Sequence, residues 1–124
     1  YYVNIINNND FNNIIIISED KRNPVIEVLL KMYPKIKFKI QSLKEDVLLL
    51  LGSKNVIESF GTFTVSLLML SDNVINIYKP SNQDINLILK IKNVNLYDID
   101  VNNYVSKMGN WIDSREQRLL ILNN

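Results

Sequence analysis

The sequence has 124 residues, enough to bury the core of one domain but too few for two independently stable ones. A formal net charge of +1, with 47% hydrophobic and 22% charged residues, is typical of a soluble globular protein and argues against nucleic-acid binding. The chain contains no Cys and no His, which excludes disulfides, thiolate metal sites and Ser-His-Asp catalysis and is compatible with a reducing compartment such as the cytoplasm.

The first apolar run, Ile14 to Ile17, is far shorter than the roughly 20 residues that cross a bilayer, so no transmembrane segment is expected. Position 1 is Tyr rather than Met, which suggests a fragment of a longer chain. Short β-branched runs then alternate with helical periodicity, and this alternation predicts βαβ units and a parallel sheet.

The first predicted strand covers Asn13 to Ile17 and is apolar on both faces, as expected for a buried parallel strand. Asn23 and Pro24 then predict the cap and the first residue of a helix. Apolar residues at positions 25, 28, 29 and 32 give that helix one apolar face, and Pro34 ends it.

The second predicted strand is Ile36 to Ile40. Ser42 and Glu45 have the spacing of a capping box, which predicts a helix through about Leu51 that ends at Gly52. Because lysines alternate with the apolar residues of the strand, we expect an edge or a solvent-facing side there.

A third strand is predicted over Asn55 to Glu58, followed by a tight turn at residues 59–62 and a helix over Phe63 to Leu70. The fourth strand, Asn73 to Tyr78, is predicted to stop at Lys79-Pro80.

The pattern weakens over residues 81–124, which we interpret as a C-terminal extension. Ile85 to Ile91 alternate like a strand, and a short helix is predicted to begin within Asp100 to Gly109. Ser114 and Gln117 have a second capping-box spacing, which predicts a final helix. The Asn7-Asn8-Asn9 tract is predicted to be a loop.

These elements predict a single domain over residues 1–124 with a Rossmann-like, three-layer α/β/α fold and a mainly parallel sheet. Ligands of such sheets collect at the carboxyl ends of the strands, where helix N-termini present N–H groups. Three segments meet this description: Ser18 to Arg22, Gln41 to Asp46 and Glu58 to Thr62.

The last of these segments is the most informative, because Gly61 permits close backbone approach and Ser59, Thr62 and Thr64 supply hydroxyls that could hold a diphosphate. An ordinary capped turn explains the same residues. The other two segments also have structural explanations, since acidic residues after the first strand can be solvated loop charges and an acidic pair favours the first turn of a helix.

Four stretches, taken in order, resemble the C-terminal half of α-1,2-fucosyltransferase-like enzymes. They are Ile-Ile-Ile-Ile-Ser-Glu-Asp (14–20), Leu-Lys-Glu-Asp-Val-Leu-Leu-Leu (43–50), Lys-Asn-Val-Ile-Glu-Ser-Phe-Gly-Thr-Phe-Thr (54–64) and Ile-Tyr-Lys-Pro (77–80). The resemblance implies the C-terminal half of a GT-B architecture that binds a nucleoside diphosphate sugar such as GDP-fucose. It also implies transfer of the sugar to a glycan or other hydroxyl acceptor.

The resemblance also implies the roles of individual residues. The diphosphate would be lined by the turn and the start of the next helix, and the first loop and the acidic pair would approach the donor and its nucleoside. The nucleotide-sugar-binding residues implied in this way are Ser59, Gly61, Thr62, Phe63, Thr64, Ser18, Asp20, Glu45 and Asp46. Helix N-termini stabilise a departing diphosphate without a metal, so neither a metal nor another cofactor is expected.

The chain departs from the family in two places. Val65-Ser66 replaces an aromatic pair, and the basic motif associated with donor binding and catalysis is missing. We therefore expect the fragment alone to be inactive and to require an N-terminal half-domain. The closing segment around Tyr104, Met108, Trp111 and Gln117 is similar to the end of such enzymes, or is a C-terminal helix that packs Trp111 and Met108 on the core.

Two other function classes remain open. One is a non-catalytic α/β binding or assembly module derived from such a fold. The other is a receiver-type signalling domain, to which Glu19-Asp20 would contribute an acidic pocket. The third predicted strand ends at Glu58-Ser59 and offers no phosphoacceptor aspartate, which argues against the receiver.

Overall fold

The protein is described by a computed structural model over residues 1–60, 63–82 and 93–123. It is an α/β protein with short parallel strands, and it divides into two compact units. Unit 1 comprises Tyr1–Gln41 and Val101–Asn124, and unit 2 comprises Ser42–Asp100. The expectation of one domain over the whole chain stays a prediction.

Unit 1 contains a two-stranded parallel sheet, in which Ile14 pairs with Ile36 and Ile16 pairs with Phe38. Its elements are α1 (Tyr2–Asn7), β1 (Ile14–Ile16), α2 (Pro24–Met32), β2 (Ile36–Phe38), α5 (Asn102–Met108), α6 (Arg115–Leu120) and a 3₁₀ turn (Ile121–Asn123). Helix α6 packs on α2, and the 3₁₀ turn packs on α1. The buried apolar residues are Tyr1, Ile5, Ile6, Val25, Ile26, Leu29, Ile36, Val101, Tyr104, Ile121 and Leu122.

Unit 2 contains a three-stranded parallel sheet in the order β3-β4-β5. Its elements are α3 (Leu43–Gly52), β3 (Asn55–Ile57), α4 (Phe63–Leu68), β4 (Asn76–Pro80) and β5 (Asn95–Ile99). The central strand β4 carries the most deeply buried side chain of the sheet, Ile77, and α3 packs on α4. No helix in the described parts of either unit combines the length and the apolarity needed to cross a membrane.

An asparagine ladder, made of Asn55, Asn76 and Asn95, marks the amino-terminal end of this sheet. The three residues are aligned by the strand register. The side-chain amide of Asn76 donates to Asn55 Oδ1 at 2.7 Å, and the amide of Asn95 donates to Asn76 Oδ1 at 2.9 Å. The ladder therefore ties all three strands together at one end.

The helix starts follow the local capping signals. Asn23 caps α2 by accepting a hydrogen bond from Val25 N, and Ser42 forms the full capping box of α3. Ser114 forms the corresponding capping box of α6. These predictions and the short helix after Asp100 are confirmed, because each depends on residues adjacent in sequence.

The predicted end of β4 is wrong, because the strand continues through Lys79 and Pro80, which pairs with Ile99. The carbonyl of Tyr78 accepts from Glu58 N on the β3 side of the sheet. The backbone groups of Tyr78 and Pro80 point to the same side of β4, because residues two apart in a strand do so. Pro80, which has no N–H group, therefore faces the side on which β3 has already ended, and no hydrogen bond of the sheet is lost. Proline is therefore tolerated at this position.

Two elements were not predicted. Helix α1 lacks a side-chain cap, and β5 has only weak alternation. The loop predicted for the asparagine tract is wrong at Asn7, the last residue of α1, and is confirmed at Asn8 and Asn9. The strand predicted over residues 85–91 lies outside the described residues.

Three predictions of burial are wrong. Ile15 is 40% exposed, so β1 is not buried on both faces, since Ile14 and Ile16 project to the opposite side. Met32 is also exposed, because the buried face of α2 is formed by Val25, Ile26 and Leu29. Trp111 is 51% exposed and lies in the loop before α6 rather than on a helix packed against the core.

Candidate functional site

The loop after β1 is folded into a tight turn by its own polar side chains. Ser18 Oγ donates to the carbonyl of Asp20 at 2.9 Å. The carboxylate of Asp20 accepts from the backbone N–H of Arg22 at 2.7 Å and from its Nε at 2.7 Å. The hydrogen bond from the Arg22 side chain lowers the pKa of Asp20, so this carboxylate is ionised at neutral pH. The turn leads directly to the cap of α2.

The loop between α5 and α6 is fixed by one buried side-chain amide, that of Gln117. Its Nε2 donates to the carbonyls of Met108 at 2.8 Å and Asn110 at 2.7 Å. Its Oε1 accepts from the backbone nitrogens of Ile112 at 3.0 Å and Ser114 at 3.3 Å. Gln117, which the sequence predicts only as a member of a capping box, therefore also fixes most of the loop that precedes α6.

Asp113, at the end of this loop, adopts a left-handed backbone conformation with φ of 59°. Aspartate tolerates this region better than most residues. Its carboxylate accepts a bidentate pair of hydrogen bonds from Arg118, at 2.7 Å from Nε and 2.7 Å from Nη2. The side-chain hydrogen bond from Arg118 lowers the pKa of Asp113. The guanidinium of Arg118 is thus held in one orientation.

These two loops border an open cleft within unit 1, with a volume of about 570 Å³. Its walls are polar and carry both signs of charge. They are formed by Ser18, Glu19, Asp20, Arg22, Asn23, Pro24, Asp113, Arg115 and Arg118.

A row of charged side chains crosses the carboxyl-terminal half of the sheet in unit 2. Glu58 follows the last residue of β3, and the register places it beside Lys79 of β4. Lys79 pairs with Asp98 of β5 and forms an ion pair with its carboxylate. Glu58 and Lys79 are each only 1% exposed. A buried acid and a buried base therefore lie side by side near the edge where α/β proteins bind ligands.

Burial raises the pKa of Glu58 to about 7, although the ammonium group of Lys79 favours the ionised carboxylate. The carboxyl group consequently changes its protonation state in the neutral range. Carboxyl groups that titrate there are frequent at functional sites.

The opposite face of the same strands carries two stacked aromatic rings. Tyr78 and Tyr97 are register partners, with ring centroids 4.8 Å apart and planes inclined by 13°. Side chains alternate along a strand, so the rings lie on the face away from Lys79 and Asp98. Tyr78 is buried and Tyr97 is partly exposed.

The structure brings Ser18 and Asp20, two of the predicted donor-binding residues, together in the cleft of unit 1. In unit 2, Ser59 is exposed directly after the end of β3, Phe63 is exposed as the first residue of α4, and Thr64 is partly exposed. Gly61 and Thr62 lie outside the described residues. The roles predicted for all of them stay predictions.

Glu45 and Asp46 occupy the first turn of α3 in unit 2. The Glu45 carboxylate accepts from the backbone and hydroxyl of Ser42, both at 2.8 Å, so it completes the capping box. Asp46 is buried. Among the described side chains, no group of three or more Asp and Glu residues could hold a metal ion.

Sequence reasoning did not identify Lys79, Asp98, Arg115, Arg118 or Gln117 as site residues. A lysine between a tyrosine and a proline at the end of an apolar run was one available signal, because Lys seldom lies in a buried strand without a charged partner. The spacing of Arg115 and Arg118 by three on a predicted helix was another.

Comparison with protein-family models, with curated proteins and with solved structures gave no match to this chain.

Proposed function

We propose that this chain is the nucleotide-sugar-binding part of a glycosyltransferase similar to the α-1,2-fucosyltransferases. The observation that carries the proposal is the succession of strand β3 and helix α4, with exposed residues between them. Strand β3, which belongs to the parallel sheet of unit 2, ends at Ile57, and helix α4 begins at Phe63. Ser59 and Phe60, which lie between them, are exposed. Connections of this kind present amides and hydroxyls at the carboxyl edge of parallel strands, where nucleotides bind.

The chemistry of the proposed reaction fits such a turn. Transfer of a sugar from a nucleoside diphosphate leaves negative charge on the departing diphosphate. Hydrogen-bond donors that are already oriented stabilise this charge without reorganisation of solvent. Ser59, Thr62 and Thr64 supply hydroxyls for that purpose, and Gly61 permits close approach of the backbone.

The complete enzyme would have a GT-B architecture, with this chain as its Rossmann-like C-terminal half. An N-terminal half-domain would supply the basic catalytic motif and would bind the acceptor whose hydroxyl receives the sugar. By itself, the chain would bind the donor and transfer no sugar.

The proposal is tested by calorimetry of the chain with GDP, GDP-fucose, UDP and UDP-glucose. We expect one of the two nucleotide pairs to bind, and the Ser59→Ala variant to bind about ten-fold more weakly, because a hydrogen bond to a charged oxygen is lost. Ser53→Ala is the matched control, since Ser53 precedes β3 at the opposite end of the strand. Its hydroxyl donates to Leu49 O and should not affect nucleotide affinity.

Two outcomes would contradict the proposal. One is the absence of binding by all four nucleotides when the circular dichroism spectrum shows an intact fold. The other is an equal effect of the two serine substitutions, which would point to a general loss of stability.

A non-catalytic α/β binding or assembly module is the second candidate function. The ion pair of the buried Lys79 with the exposed Asp98, beside the buried Glu58, favours it, because charges paired across a sheet can serve its architecture alone. In that case binding of a protein partner would persist in the Ser59→Ala variant, and none of the nucleotides would compete with it.

A further inference from the structure

Three arginines from two separate segments converge on the cleft of unit 1. Arg22 belongs to the loop after β1, whereas Arg115 and Arg118 belong to α6. Residues three apart lie on the same face of a helix, so both α6 arginines face the same wall of the cleft. Three acidic side chains, Glu19, Asp20 and Asp113, also line the cleft, and two of them are the hydrogen-bond partners of Arg22 and Arg118.

Arg22 and Arg118 are each oriented by a carboxylate. Arg118 gives two of its five N–H donors to Asp113 at 2.7 Å. Arg22 contacts Asp20 through its Nε at 2.7 Å and its Nη2 at 2.5 Å. These bonds use one edge of each guanidinium. The remaining donors of a planar guanidinium point away from that edge, so an additional anion can be bound without breaking either pair.

Arg115 is the least constrained of the three. Its ion pair with Glu27 has an Nη2 to Oε2 distance of 3.8 Å, near the limit for such an interaction, and both side chains are exposed. Exposed pairs of this kind contribute little to stability. An anion in the cleft can therefore recruit Arg115 at small cost.

Arg22 and Arg118 both line the cleft, and the charge of Arg118 affects the neighbourhood of Arg22. The hydrogen bond with Asp20 raises the pKa of Arg22, while the positive charge of Arg118 opposes this increase. The charge of Arg118 also contributes to the lowered pKa of Asp20. The negative charge of Asp20 in turn contributes to the raised pKa of Arg118, so Arg22, Asp20 and Arg118 act on one another electrostatically within the cleft.

We propose that this cleft binds the phosphate group of a phosphorylated ligand, held by Arg115 and Arg118 on one wall and by Arg22 on the other. A phosphate group offers three terminal oxygens and up to two negative charges, so it can accept from several guanidinium groups at once, whereas a carboxylate is satisfied by a single one. The cleft of about 570 Å³ also has room for the group to which the phosphate is attached.

This inference does not rest on the proposed function, although Ser18 and Asp20, which line the cleft, are among the predicted donor-binding residues. The arginines all lie in unit 1, whereas the turn proposed to bind the donor diphosphate lies in unit 2. Substitutions at Arg115 and at Ser59 therefore test the two proposals separately.

The test is a titration of the full chain, labelled with ¹⁵N, with sodium pyrophosphate at constant ionic strength. We expect the Nε–H signals of Arg22, Arg115 and Arg118 to shift together and to saturate. In Arg115→Gln the affinity for pyrophosphate should fall about ten-fold, because a charge-assisted hydrogen bond is lost. Lys107→Gln removes the same charge from an exposed position of unit 1 outside the cleft, and should change the affinity less than about two-fold.

A second variant, Arg118→Lys, keeps the positive charge but loses the planar fork, and should also weaken binding while the amide spectrum keeps its dispersion. Parallel titrations with inorganic phosphate, glucose 1-phosphate and GDP identify the source of the phosphate group. Because GDP is also expected at the turn of unit 2, affinities for the cleft are taken from the arginine Nε–H signals only. By that measure, tighter binding of glucose 1-phosphate or of GDP than of pyrophosphate would support a sugar phosphate or a nucleotide, respectively.

The proposal would be overturned if none of the four anions shifts the arginine signals at 10 mM, on the order of the weakest affinity that a specific site would show. It would also be overturned if Arg115→Gln and Lys107→Gln weakened pyrophosphate binding equally, since that result would indicate attraction by net charge only. Loss of GDP binding in Ser59→Ala, with the pyrophosphate response of the arginines unchanged, would support two separate sites.

Discussion

Glu58 is the residue whose surroundings most strongly alter its chemistry. Its carboxyl group is buried and has a pKa of about 7, above its ordinary value of 4.5. The folded protein therefore binds a proton at this site over a pH range in which the unfolded chain has released it. By linkage, stability must decrease as the pH rises through that range.

We predict that the free energy of unfolding decreases between about pH 4.5 and pH 7 because Glu58 must ionise in a buried position. Each unit of pKa shift corresponds to about 1.4 kcal/mol, so the loss is on the order of 2 kcal/mol once solvent screening is allowed for. Below pH 4.5 the Glu58 carboxyl is protonated in both the folded and the unfolded state, so it no longer makes stability depend on pH. Urea unfolding at several pH values measures this dependence.

Glu58→Gln is the matching variant, because glutamine keeps the shape and removes the titration. Its stability should not fall from pH 5 to pH 7. Asp20, Glu27 and Asp113 have lowered pKa values through their cationic partners, so their contributions are lost in acid, below that range. Burial lowers the pKa of the Tyr1 amino group to about 6, which makes stability rise above that pH in both proteins, so the decisive quantity is the difference between them. A wild-type profile that falls no more than that of Glu58→Gln from pH 5 to pH 7 would contradict the prediction.

At the scale of the elements, the two ends of the three-stranded sheet carry different kinds of side chain. The asparagine ladder joins β3, β4 and β5 at their amino-terminal ends, and Glu58, Lys79 and Asp98 lie toward their carboxyl-terminal ends. Both rows connect neighbouring strands through side chains at matching positions. Cross-strand pairs of this kind favour one register over the others.

We predict that Asn76→Ala lowers the free energy of unfolding by about 1 kcal/mol, because Asn76 is the middle member of the ladder and takes part in both of its hydrogen bonds. Asn12→Ala, at an exposed loop position, is the matched control and should change stability by less than about 0.5 kcal/mol. Chemical denaturation of the two variants compares them. Equal effects would mean that the ladder contributes nothing specific.

The elements also show what can be predicted from sequence. The starts of α2, α3 and α6 follow from caps within a few residues, and β1 to β4 follow from apolar runs. β5 was missed because its own apolar alternation is weak. The charged row of Glu58, Lys79 and Asp98 could not be predicted, since it exists only when three strands adopt one register.

At the scale of the whole molecule, the chain forms two compact units, each with its own parallel sheet and buried residues. Unit 2 is a continuous segment, whereas unit 1 combines the two ends of the described chain. Because each unit has its own sheet and its own buried residues, each unit should open cooperatively.

We therefore predict that Ile77→Ala, which removes a fully buried side chain of β4, accelerates amide hydrogen exchange mainly in unit 2. Such a substitution costs about 2 to 5 kcal/mol. Exchange in β1 and β2 should change less than exchange in β3, β4 and β5 when followed by NMR under native conditions. Equal acceleration in both units would show that the chain unfolds as a single cooperative block.

The burial of Lys79 determines how fast this residue reacts with chemical labels. Amine-reactive reagents attack a neutral, accessible amine, and the Lys79 side chain is only 2% exposed and ion-paired. Exposed Lys37 should be acylated at once, whereas Lys79 should be acylated only during excursions that separate β4 from β5. The rate of Lys79 acylation, followed by mass spectrometry, therefore reports the rate or the frequency with which the sheet opens.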